Sequence, residues 1–324
     1  MARAVTLIPG DWIGPETTAV VVDVLAEAGA KIDWEICPVH DGRLSEELLS
    51  SCRRTGVVLK ARLAAPSRGV LLPTLALRKE LGLWATVRPV TALPQSGARF
   101  PDIDLVVIRE TSEDIYSGFE HEVTRDVYEA VKVTTRAACE RIARYAYAYA
   151  REHGRRKVTI VHKSNIMKRS DGLFLRVASD VASEHPEIQT DEVIVDALCM
   201  KLVRNPSQFD VLLTGNLFGD IVSDLASGLG GGLTASPSAS YGGSCALFEN
   251  PHGRAPELVG TGKANPVPML RTATMMLRHI GEGSVADRID GAIRAAYEEG
   301  LRTIERGGPH GAAEVKREVL TRLG

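Results

Sequence analysis

The stretch VTLIPGDWIGPETTAVVVDVLAEA (residues 5–28) joins a short apolar run to an amphipathic helix pattern. Val5 to Ile8 predict a buried strand. Pro15 suits the first turn of a helix, and apolar residues then recur at helical spacing as far as Ala28. A strand followed directly by a helix is the repeating unit of α/β proteins. The stretch therefore predicts an α/β fold.

The same alternation of apolar runs and amphipathic stretches continues along the chain. Further strands are predicted at Lys31–Cys37, Gly56–Leu59, Leu105–Ile108, Val158–Val161, Glu192–Val195 and Val211–Thr214. Further helices are predicted at Ser45–Arg53, Thr134–Glu152, Gly172–Ser183, Ala197–Val203, Ile221–Leu229, Val267–Ile280 and Ser284–Glu305. This pattern predicts sheets covered by helices, and no linker marks a domain boundary.

Composition and charge exclude several classes of protein. The chain has 324 residues, with 39 basic and 41 acidic side chains, so there is no basic surplus for nucleic acid or an anionic membrane. The sequence contains no run of about 18 apolar residues, so no membrane span is predicted. The five cysteines form no CxxC pair, which indicates reduced thiols and no zinc site. We therefore expect a cytoplasmic protein with neither nucleic acid nor membrane as a partner.

Three arginines lie in segments that carry more polar groups than packing requires. Arg78 and Arg88 are ten residues apart, and Arg109 opens RETSEDIYSGFEH directly after a predicted strand. Polar clusters at strand ends are where α/β proteins place their chemistry. Because arginine binds carboxylates through two parallel hydrogen bonds, the three could hold a small molecule with several negative charges. The alternative is three unrelated surface salt bridges.

Two further segments carry candidate chemistry. Lys163 ends a predicted strand, where loss of solvent would lower its pKa towards that of a base; alternatively it extends its amine to solvent. Asp220 and Asp224 are four residues apart at a predicted helix start, so both carboxylates project from one face. Such a pair favours Mg²⁺ or Mn²⁺ unless Asp220 caps the helix and Asp224 is solvated. No Rossmann fingerprint, P-loop or GxSxG motif is present.

Taken together, these segments resemble the β-decarboxylating dehydrogenases, which act on isocitrate, isopropylmalate, homoisocitrate, or tartrate and malate. The motifs that carry the resemblance are LIPGDWIGPE (7–16), RETSEDIYSGFEH (109–121), HKSNIMKRSDGLF (162–174), VDALCMKLV (195–203), NLFGDIVSD (216–224) and NPHGRAPELVGTGKANP (250–266). They run over most of the chain in the family's order, and they are most similar to those of NAD-dependent isocitrate-type members.

The resemblance implies a fold with two α/β domains and an active-site cleft between them. A large cofactor-binding domain would contain residues 1–94 and 242–324, and a small central domain, residues 95–241, would carry the catalytic, metal and dimer-contact residues. The NAD site of such enzymes is not a Rossmann turn, which agrees with the missing glycine fingerprint. The family forms dimers with shared active sites, so a homodimer is expected.

The resemblance also implies roles for individual residues. Those expected to bind the substrate carboxylates are Arg78, Arg88 and Arg109. Those expected to transfer protons are Tyr116 and Lys163, and those expected to bind Mg²⁺ or Mn²⁺ are Asp196, Asp220 and Asp224. Lys163 and Asp196 would come from the partner subunit. Those expected at the cofactor are His252, Gly253, Ala255, Pro256, Glu257, Leu258, Asn265 and Asn165.

The residue after Ala255-Pro256 indicates which cofactor is used. NAD-using relatives carry an acidic residue there, which accepts hydrogen bonds from the adenosine ribose, whereas NADP-using relatives carry Lys-Tyr. Glu257-Leu258 resembles the NAD version, because a carboxylate repels a 2′-phosphate. Arg254 stands where the family has a small Ser or Thr and adds a positive charge.

The substrate loop departs from the family pattern. Leu72 and Thr74 stand where isocitrate enzymes have Ser and Asn, and Leu71 stands where isopropylmalate enzymes have Glu. Ser67, Arg68 and Thr74 are candidates for binding an unusual distal group. Trp12 replaces the usual small residue of the first motif.

We therefore expect NAD- and Mg²⁺- or Mn²⁺-dependent oxidative decarboxylation of a 3-substituted malate. The alternatives are a specialised paralogue with an unusual 3-substituted malate, or an isopropylmalate or homoisocitrate dehydrogenase. A different class, the inactive regulatory subunit, requires missing catalytic positions, and all of those named above are present.

Overall fold

A computed structural model describes residues 2–64, 72–250 and 253–323, and the elements below belong to these residues. The strands are β1 (Arg3–Ile8), β2 (Ile32–Ile36), β3 (Val57–Lys60), β4 (Leu83–Thr91), β5 (Asp104–Glu110), β6 (Glu120–Thr124), β7 (Val127–Ala130), β8 (Lys157–His162), β9 (Gln189–Ile194), β10 (Val211–Thr214), β11 (Ser238–Gly242) and β12 (Ala246–Glu249). The helices are α1 (Gly14–Glu27), α2 (Glu46–Thr55), α3 (Pro73–Glu80), α4 (Arg136–Glu152), α5 (Ser170–Ala182), α6 (Val195–Arg204), α7 (Asn216–Leu229), α8 (Val267–His279), α9 (Gly283–Glu298) and α10 (Ala312–Thr321).

The predicted α/β fold class is confirmed, and several elements differ in detail. The helix predicted from Ser284 to Glu305 ends at Glu298, because Gly300 adopts a φ of 100° that continues no helix. Helix α7 begins at Asn216, five residues before its predicted start. The structure adds strands β4, β6, β7, β11 and β12 and helices α3 and α10 to the predicted elements. The shorter of these carry little periodic signal.

The chain divides into two compact units. The first consists of Met1–Leu83, Ala92–Pro101 and Gly231–Gly324, and the second of Trp84–Thr91 and Asp102–Gly230. The prediction of a cofactor-binding domain (1–94 and 242–324) and a catalytic domain (95–241) concerns function, so it stays a prediction. In the part of the chain that the structure describes, no helix is both long and apolar enough to span a membrane.

The first unit contains the strand order β2-β1-β3-β12-β11. Strands β2, β1, β3 and β12 each run parallel to their neighbours in this order. Strand β11 is antiparallel to β12. The main apolar core of this unit joins α1, α8, α9 and α10 to the sheet, and Val5, Val21 and Leu270 are fully buried in it. The opening strand and helix therefore belong to one core, as their apolar spacing requires.

The second unit contains the strand order β4-β5-β10-β8-β9. Strand β4 is antiparallel to β5, whereas β5, β10, β8 and β9 run parallel to their neighbours. Parallel strands end at the same edge of a sheet, so the residues that follow them meet there. Arg109, Lys163, Asp196 and Asn216 all lie at or just beyond these strand ends.

Gly219 allows α7 to pack closely against the end of β5. A Cβ atom at this position would lie 2.3 Å from Thr214 Oγ1 and 2.6 Å from Arg109 Cγ. Both distances are far below van der Waals contact, and Thr214 and Arg109 are themselves buried. Glycine at 219 therefore sets how near α7 lies to Arg109.

Replacing Gly219 with Ala should lower the free energy of unfolding by about 1–3 kcal/mol, because the added methyl group overpacks a buried contact. Urea denaturation measures this change. Gly228→Ala in the same helix is the matched control, since its Cβ would have no neighbour within 4 Å. The control should be unchanged or more stable by up to about 1 kcal/mol, through helix propensity. Equal effects of the two substitutions would contradict the close-approach argument.

Candidate active site

Arg109 is the most buried of the three predicted substrate arginines, with a side chain 3% exposed. Its Nε and Nη2 donate to Asn216 Oδ1 over 3.0 and 2.7 Å, and its Nη1 forms an ion pair with Asp220. The guanidinium also lies 5.1 Å from the centre of the Tyr116 ring. Arg109, a predicted substrate-binding residue, thus contacts both Tyr116, a predicted proton donor, and Asp220, a predicted metal ligand.

Tyr116 lies in a 3₁₀ turn, Ile115–Ser117, and its hydroxyl donates to Asp220 Oδ2 over 2.5 Å. Burial raises the pKa of Tyr116, and the hydrogen bond and negative charge of Asp220 raise it further. Arg109 acts in the opposite direction but does not outweigh them. Tyr116 is therefore protonated at neutral pH and is suited to donate a proton.

Arg88 and Asp224 form a second ion pair beside the first. Arg88 Nη1 donates to Asp224 Oδ1 over 2.7 Å and to Ser223 Oγ over 2.8 Å. The Arg88 side chain is 8% exposed, whereas that of Asp224 is 67% exposed. The buried Nε atoms of Arg88 and Arg78 have no hydrogen-bond partner among the described residues. Such unsatisfied donors suit a site that receives an anion.

Asp220 and Asp224 lie on one face of α7, one helical turn apart. The alternative that Asp220 caps the helix is excluded, because α7 begins at Asn216 with Gly215 as its cap. Carboxylate oxygens with exposed faces fit Mg²⁺ or Mn²⁺. No group of three metal-ligating side chains occurs among the described residues of one chain. Asp220 and Asp224 are two of the three predicted metal ligands, and the third, Asp196, is predicted to come from a second subunit.

Lys163 and Asp196 form a further ion pair in the second unit. Lys163 follows β8, Asp196 lies in the first turn of α6, and Lys163 Nζ donates to Asp196 Oδ1. The hydrogen bond from Lys163 lowers the pKa of Asp196. Their side chains are 25% and 62% exposed, so both are accessible on the surface of this unit.

Arg78 belongs to a buried charge cluster of the first unit. Glu249 accepts from Arg78 Nη2 over 2.5 Å and lies 2.9 Å from Lys60 Nζ. Burial alone would raise the pKa of Glu249, but the charges of Lys60 and Arg78 outweigh it and hold that pKa well below its usual range. Sequence reasoning missed Glu249, because its partners are 171 or more residues away in the chain.

A cavity of about 380 Å³ in the first unit contains three of the predicted cofactor residues, Ala255, Leu258 and Asn265. Asn265 is held by a 2.6 Å hydrogen bond to Glu305, which also lines the cavity together with Arg306. A largely apolar pocket with a few polar groups fits a nucleoside. Glu305 and Arg306 were missed, since neither belongs to a recognised motif.

The loop from Gly253 to Leu258 carries further predicted cofactor residues and is largely exposed to solvent. Pro256–Leu258 form a 3₁₀ turn in which Glu257 is exposed, and Arg254 lies 5.6 Å from the centre of the Trp12 ring. The two departures from the family pattern, Trp12 and Arg254, therefore contact each other. Asn165 lies in an exposed turn of the second unit, and His252 lies outside the described residues.

The predicted substrate-loop residues are described only in part. Ser67 and Arg68 lie outside the described residues, in the gap from 65 to 71. Leu72 precedes α3, is 49% exposed and makes no side-chain hydrogen bond to cap that helix. Thr74 lies half-buried in the first turn of α3.

Comparisons with known proteins identify the family to which this chain is similar. The family model described as isocitrate/isopropylmalate dehydrogenase matches residues 4–319. A mitochondrial isocitrate dehydrogenase [NAD] catalytic subunit 5 of Arabidopsis thaliana is 45% identical, over 98% of this chain and 88% of that protein. A chloroplastic 3-isopropylmalate dehydrogenase of Solanum tuberosum is 46% identical, over 89% of this chain and 83% of that protein.

An isocitrate dehydrogenase [NADP] of Rickettsia typhi is 38% identical, over 99% of this chain and 70% of that protein. Among solved structures, the crystal structure of isocitrate dehydrogenase from Methylococcus capsulatus matches with a TM-score of 0.94 and 40% identity, over 100% of this chain and 99% of that one. The similar proteins thus differ in named substrate and in named cofactor.

Replacing Glu249 with Gln should lower the free energy of unfolding at pH 7 by about 3–5 kcal/mol, because two buried cations lose their carboxylate. The pKa of Glu249 is lower in the folded protein than in the unfolded chain, so its ionisation stabilises the fold above the ordinary carboxyl pKa, near 4.3. This stabilisation is lost as pH falls below that value. The difference in unfolding free energy between Glu249→Gln and wild type should then narrow by about 1.4 kcal/mol per pH unit.

Urea unfolding from pH 7 to pH 3 measures this difference. The exposed Glu27→Gln is the matched control and should stay within about 0.5 kcal/mol of wild type. A difference that does not change with pH would show that ionisation of Glu249 does not stabilise the fold.

Proposed function

Because the chain belongs to the isocitrate/isopropylmalate dehydrogenase family, we propose that it oxidatively decarboxylates a 3-substituted malate of the isocitrate type. The products are a 2-oxo acid, CO₂ and NADH. The proposed cofactors are NAD and Mg²⁺ or Mn²⁺. The observation that carries the proposal is the contact of Asp220 with both Arg109 and Tyr116. In the proposed roles, this contact would bring substrate binding, metal binding and proton transfer together at one carboxylate.

The ion pairs of the site explain how a charged substrate would enter. Arg109 and Arg88 are neutralised by Asp220 and Asp224. When the substrate and a divalent cation arrive together, the arginines turn to the substrate carboxylates and the aspartates to the cation. No buried charge is left without a partner in this exchange. The cation alone would leave the two buried arginines unpaired, and the substrate alone would leave two partly exposed carboxylates close together. Substrate and metal should therefore bind cooperatively.

Two side chains of this chain would handle the protons. In its neutral form Lys163 would accept the proton of the substrate hydroxyl, and Tyr116 would donate its proton to the carbon that loses CO₂. Bound NAD would accept the hydride. Metal held by Asp220, Asp224 and the Asp196 of a second subunit would supply Lewis-acid stabilisation of the developing negative charge. The raised pKa of Tyr116 suits a donor that must hold its proton until decarboxylation.

NAD rather than NADP is the proposed cofactor. Glu257 is exposed on the loop beside the cavity that Ala255, Leu258 and Asn265 line, and its carboxylate would repel a 2′-phosphate. Arg254 lies over the Trp12 ring. The proposal also includes a homodimer with shared active sites; a cytoplasmic location stays a prediction.

A second candidate function follows from the substrate loop. Leu72 is exposed and offers no hydrogen bond where isocitrate enzymes carry Ser, so a specialised 3-substituted malate, or isopropylmalate or homoisocitrate, is the alternative substrate. An inactive regulatory subunit is disfavoured, because Tyr116, Lys163 and the other catalytic positions are all present.

Activity should require Mg²⁺ or Mn²⁺, and Asp220→Asn should lower kcat by roughly 100-fold or more, because a bound metal contributes several kcal/mol to the transition state. NADH formation before and after EDTA treatment and dialysis measures the requirement. Calorimetric titration with substrate should show weak binding without metal and tighter binding with it. Full activity of the dialysed enzyme would refute the metal site. Asp23→Asn, an exposed surface variant, is the control.

Mixing inactive Lys163→Ala and inactive Arg109→Ala proteins should restore activity, because a hybrid dimer then contains one intact site. With random subunit exchange, about one quarter of wild-type activity is expected. A mixture of Lys163→Ala with Asp196→Ala is the matched control: each cleft receives a damaged residue from its neighbour, so nothing should be restored. Failure of the first mixture after verified subunit exchange would exclude shared sites.

Isocitrate should be a poor substrate of the wild-type protein unless Arg68 or Thr74 replaces the missing Ser. A distal carboxylate beside Leu72 loses a hydrogen bond that contributes roughly 1.5–3 kcal/mol, or about a 10- to 100-fold decrease in kcat/KM. The measurement is kcat/KM for isocitrate, isopropylmalate, homoisocitrate and malate, each with NAD and with NADP. Leu72→Ser should increase kcat/KM for isocitrate, and Leu72→Ala is the control for the change in side-chain size.

The loop argument is wrong if wild type strongly prefers isocitrate and if Arg68→Ala and Thr74→Ala leave that preference unchanged. In that case the enzyme is an isocitrate dehydrogenase without a special substrate.

A further inference from the structure

Lys132 lies between β7 and α4 and connects two buried carboxylates of the second unit. Its Nζ is 3.0 Å from Asp114 Oδ2 and 3.3 Å from Asp171 Oδ1. The aspartate side chains are 4% and 5% exposed, and that of Lys132 is 19% exposed. Two buried carboxylates so close together require a cation, which Lys132 supplies. None of the three residues belongs to the substrate, cofactor or metal sets above.

The first carboxylate, Asp114, holds the turn that carries Tyr116. Asp114 Oδ1 accepts from the amide of Ile115 over 2.8 Å, at the start of the 3₁₀ turn, and Oδ2 accepts from the amide of Leu217 over 3.1 Å. Asp114 has φ 75° and ψ −155°, a region that side chains other than glycine rarely adopt. This strained backbone persists because the surrounding hydrogen bonds hold it.

The second carboxylate, Asp171, holds the loop that carries Lys163. Asp171 Oδ2 accepts directly from the backbone amide of Lys163 over 2.6 Å, just beyond the end of β8. The Lys132 ammonium also lies 5.3 Å from the centre of the Phe218 ring, two residues before Asp220. One ammonium group is thus linked through Asp114 to the turn that carries Tyr116 and through Asp171 to the backbone amide of Lys163. It also contacts the helix of the predicted metal carboxylates.

We propose that Lys132 is a positioning residue that sets Tyr116 and Lys163 together, through Asp114 and Asp171. The inference rests on the proposed function, in which Tyr116 serves the cleft of its own subunit and Lys163 serves that of the partner. Under that arrangement a single Lys132 acts on both active sites of the dimer. Loss of one Lys132 should therefore impair two sites, whereas loss of one Tyr116 impairs one.

The homodimeric Lys132→Met variant should have a kcat roughly 10- to 100-fold lower than wild type, because small displacements of proton-transfer groups are costly. KM for the substrate should change less than twofold, since the arginines are untouched. Lys132→Arg should recover most of kcat. Lys31→Met, an exposed lysine of the first unit, is the control and should behave as wild type. A folded Lys132→Met dimer with wild-type kcat would overturn the proposal.

Hybrid dimers separate the positioning role from general destabilisation. Differently tagged chains give purified hybrids of one wild-type and one variant chain. Hybrids with Tyr116→Phe or with Lys163→Ala should keep about half of wild-type activity, because one site is intact. The hybrid with Lys132→Met should fall well below half, since each of its sites receives one displaced group. A value of half for that hybrid would overturn the double role.

Asp114→Gly tests the same connection if Lys132→Met does not fold. Glycine relieves the strained φ but removes the carboxylate, so stability should not fall in proportion to activity. Its kcat should drop with KM unchanged, and its hybrid with wild type should keep about half of the activity, because only the Tyr116 turn is displaced. Wild-type kcat in Asp114→Gly would overturn the proposal.

Failure of the proposed function gives a different result. If Tyr116→Phe and Lys163→Ala proteins restore no activity when mixed, the sites are not shared, whatever Lys132 does. A low kcat of homodimeric Lys132→Met would then still support positioning within a single site, and the hybrid of wild type with Lys132→Met would keep half of the activity.

Discussion

Arg109 is a cation with only 3% of its side chain exposed, and such a charge is stable only beside fixed acceptors. Asn216 and Asp220 supply those acceptors from α7, and Gly219 lets the helix come near enough to do so. Tyr116 then shares Asp220 and lies beside the guanidinium. The position of α7, and with it both predicted metal carboxylates, follows from neutralising this one arginine.

The same principle organises the other polar clusters of the described residues. Arg88 is paired with Asp224, Lys163 with Asp196, Arg78 and Lys60 with Glu249, and Lys132 with two aspartates. Most of these groups are ones for which an anionic substrate or a divalent cation would compete. A site that is electrically balanced without ligands exchanges its partners when ligands bind, and this exchange avoids the cost of an unpaired buried charge.

The clusters differ in what they contribute. Glu249, Lys60 and Arg78 are nearly inaccessible to solvent, so their pairing mainly stabilises the first unit and orients one predicted substrate arginine. Asp224 and Asp196 are more than half exposed, which leaves their carboxylates open to a ligand. Asp114 and Asp171 are buried like Glu249 but accept from the backbone amides of Leu217 and Lys163, so their charge holds the backbone beside predicted catalytic residues.

The sequence alone determined the α/β class, most strands and helices, and the residue types of the site, because apolar periodicity and ordered motifs are local signals. It also placed Asp220 and Asp224 on one helix face. The pairings were decided only by the tertiary structure: Arg109 meets Asp220 across 111 positions, and Arg78 meets Glu249 across 171. Lys132 carries no motif at all. Its two partners come together only where parallel strands end at one edge, since contacts between distant segments depend on the packed sheet and not on sequence spacing.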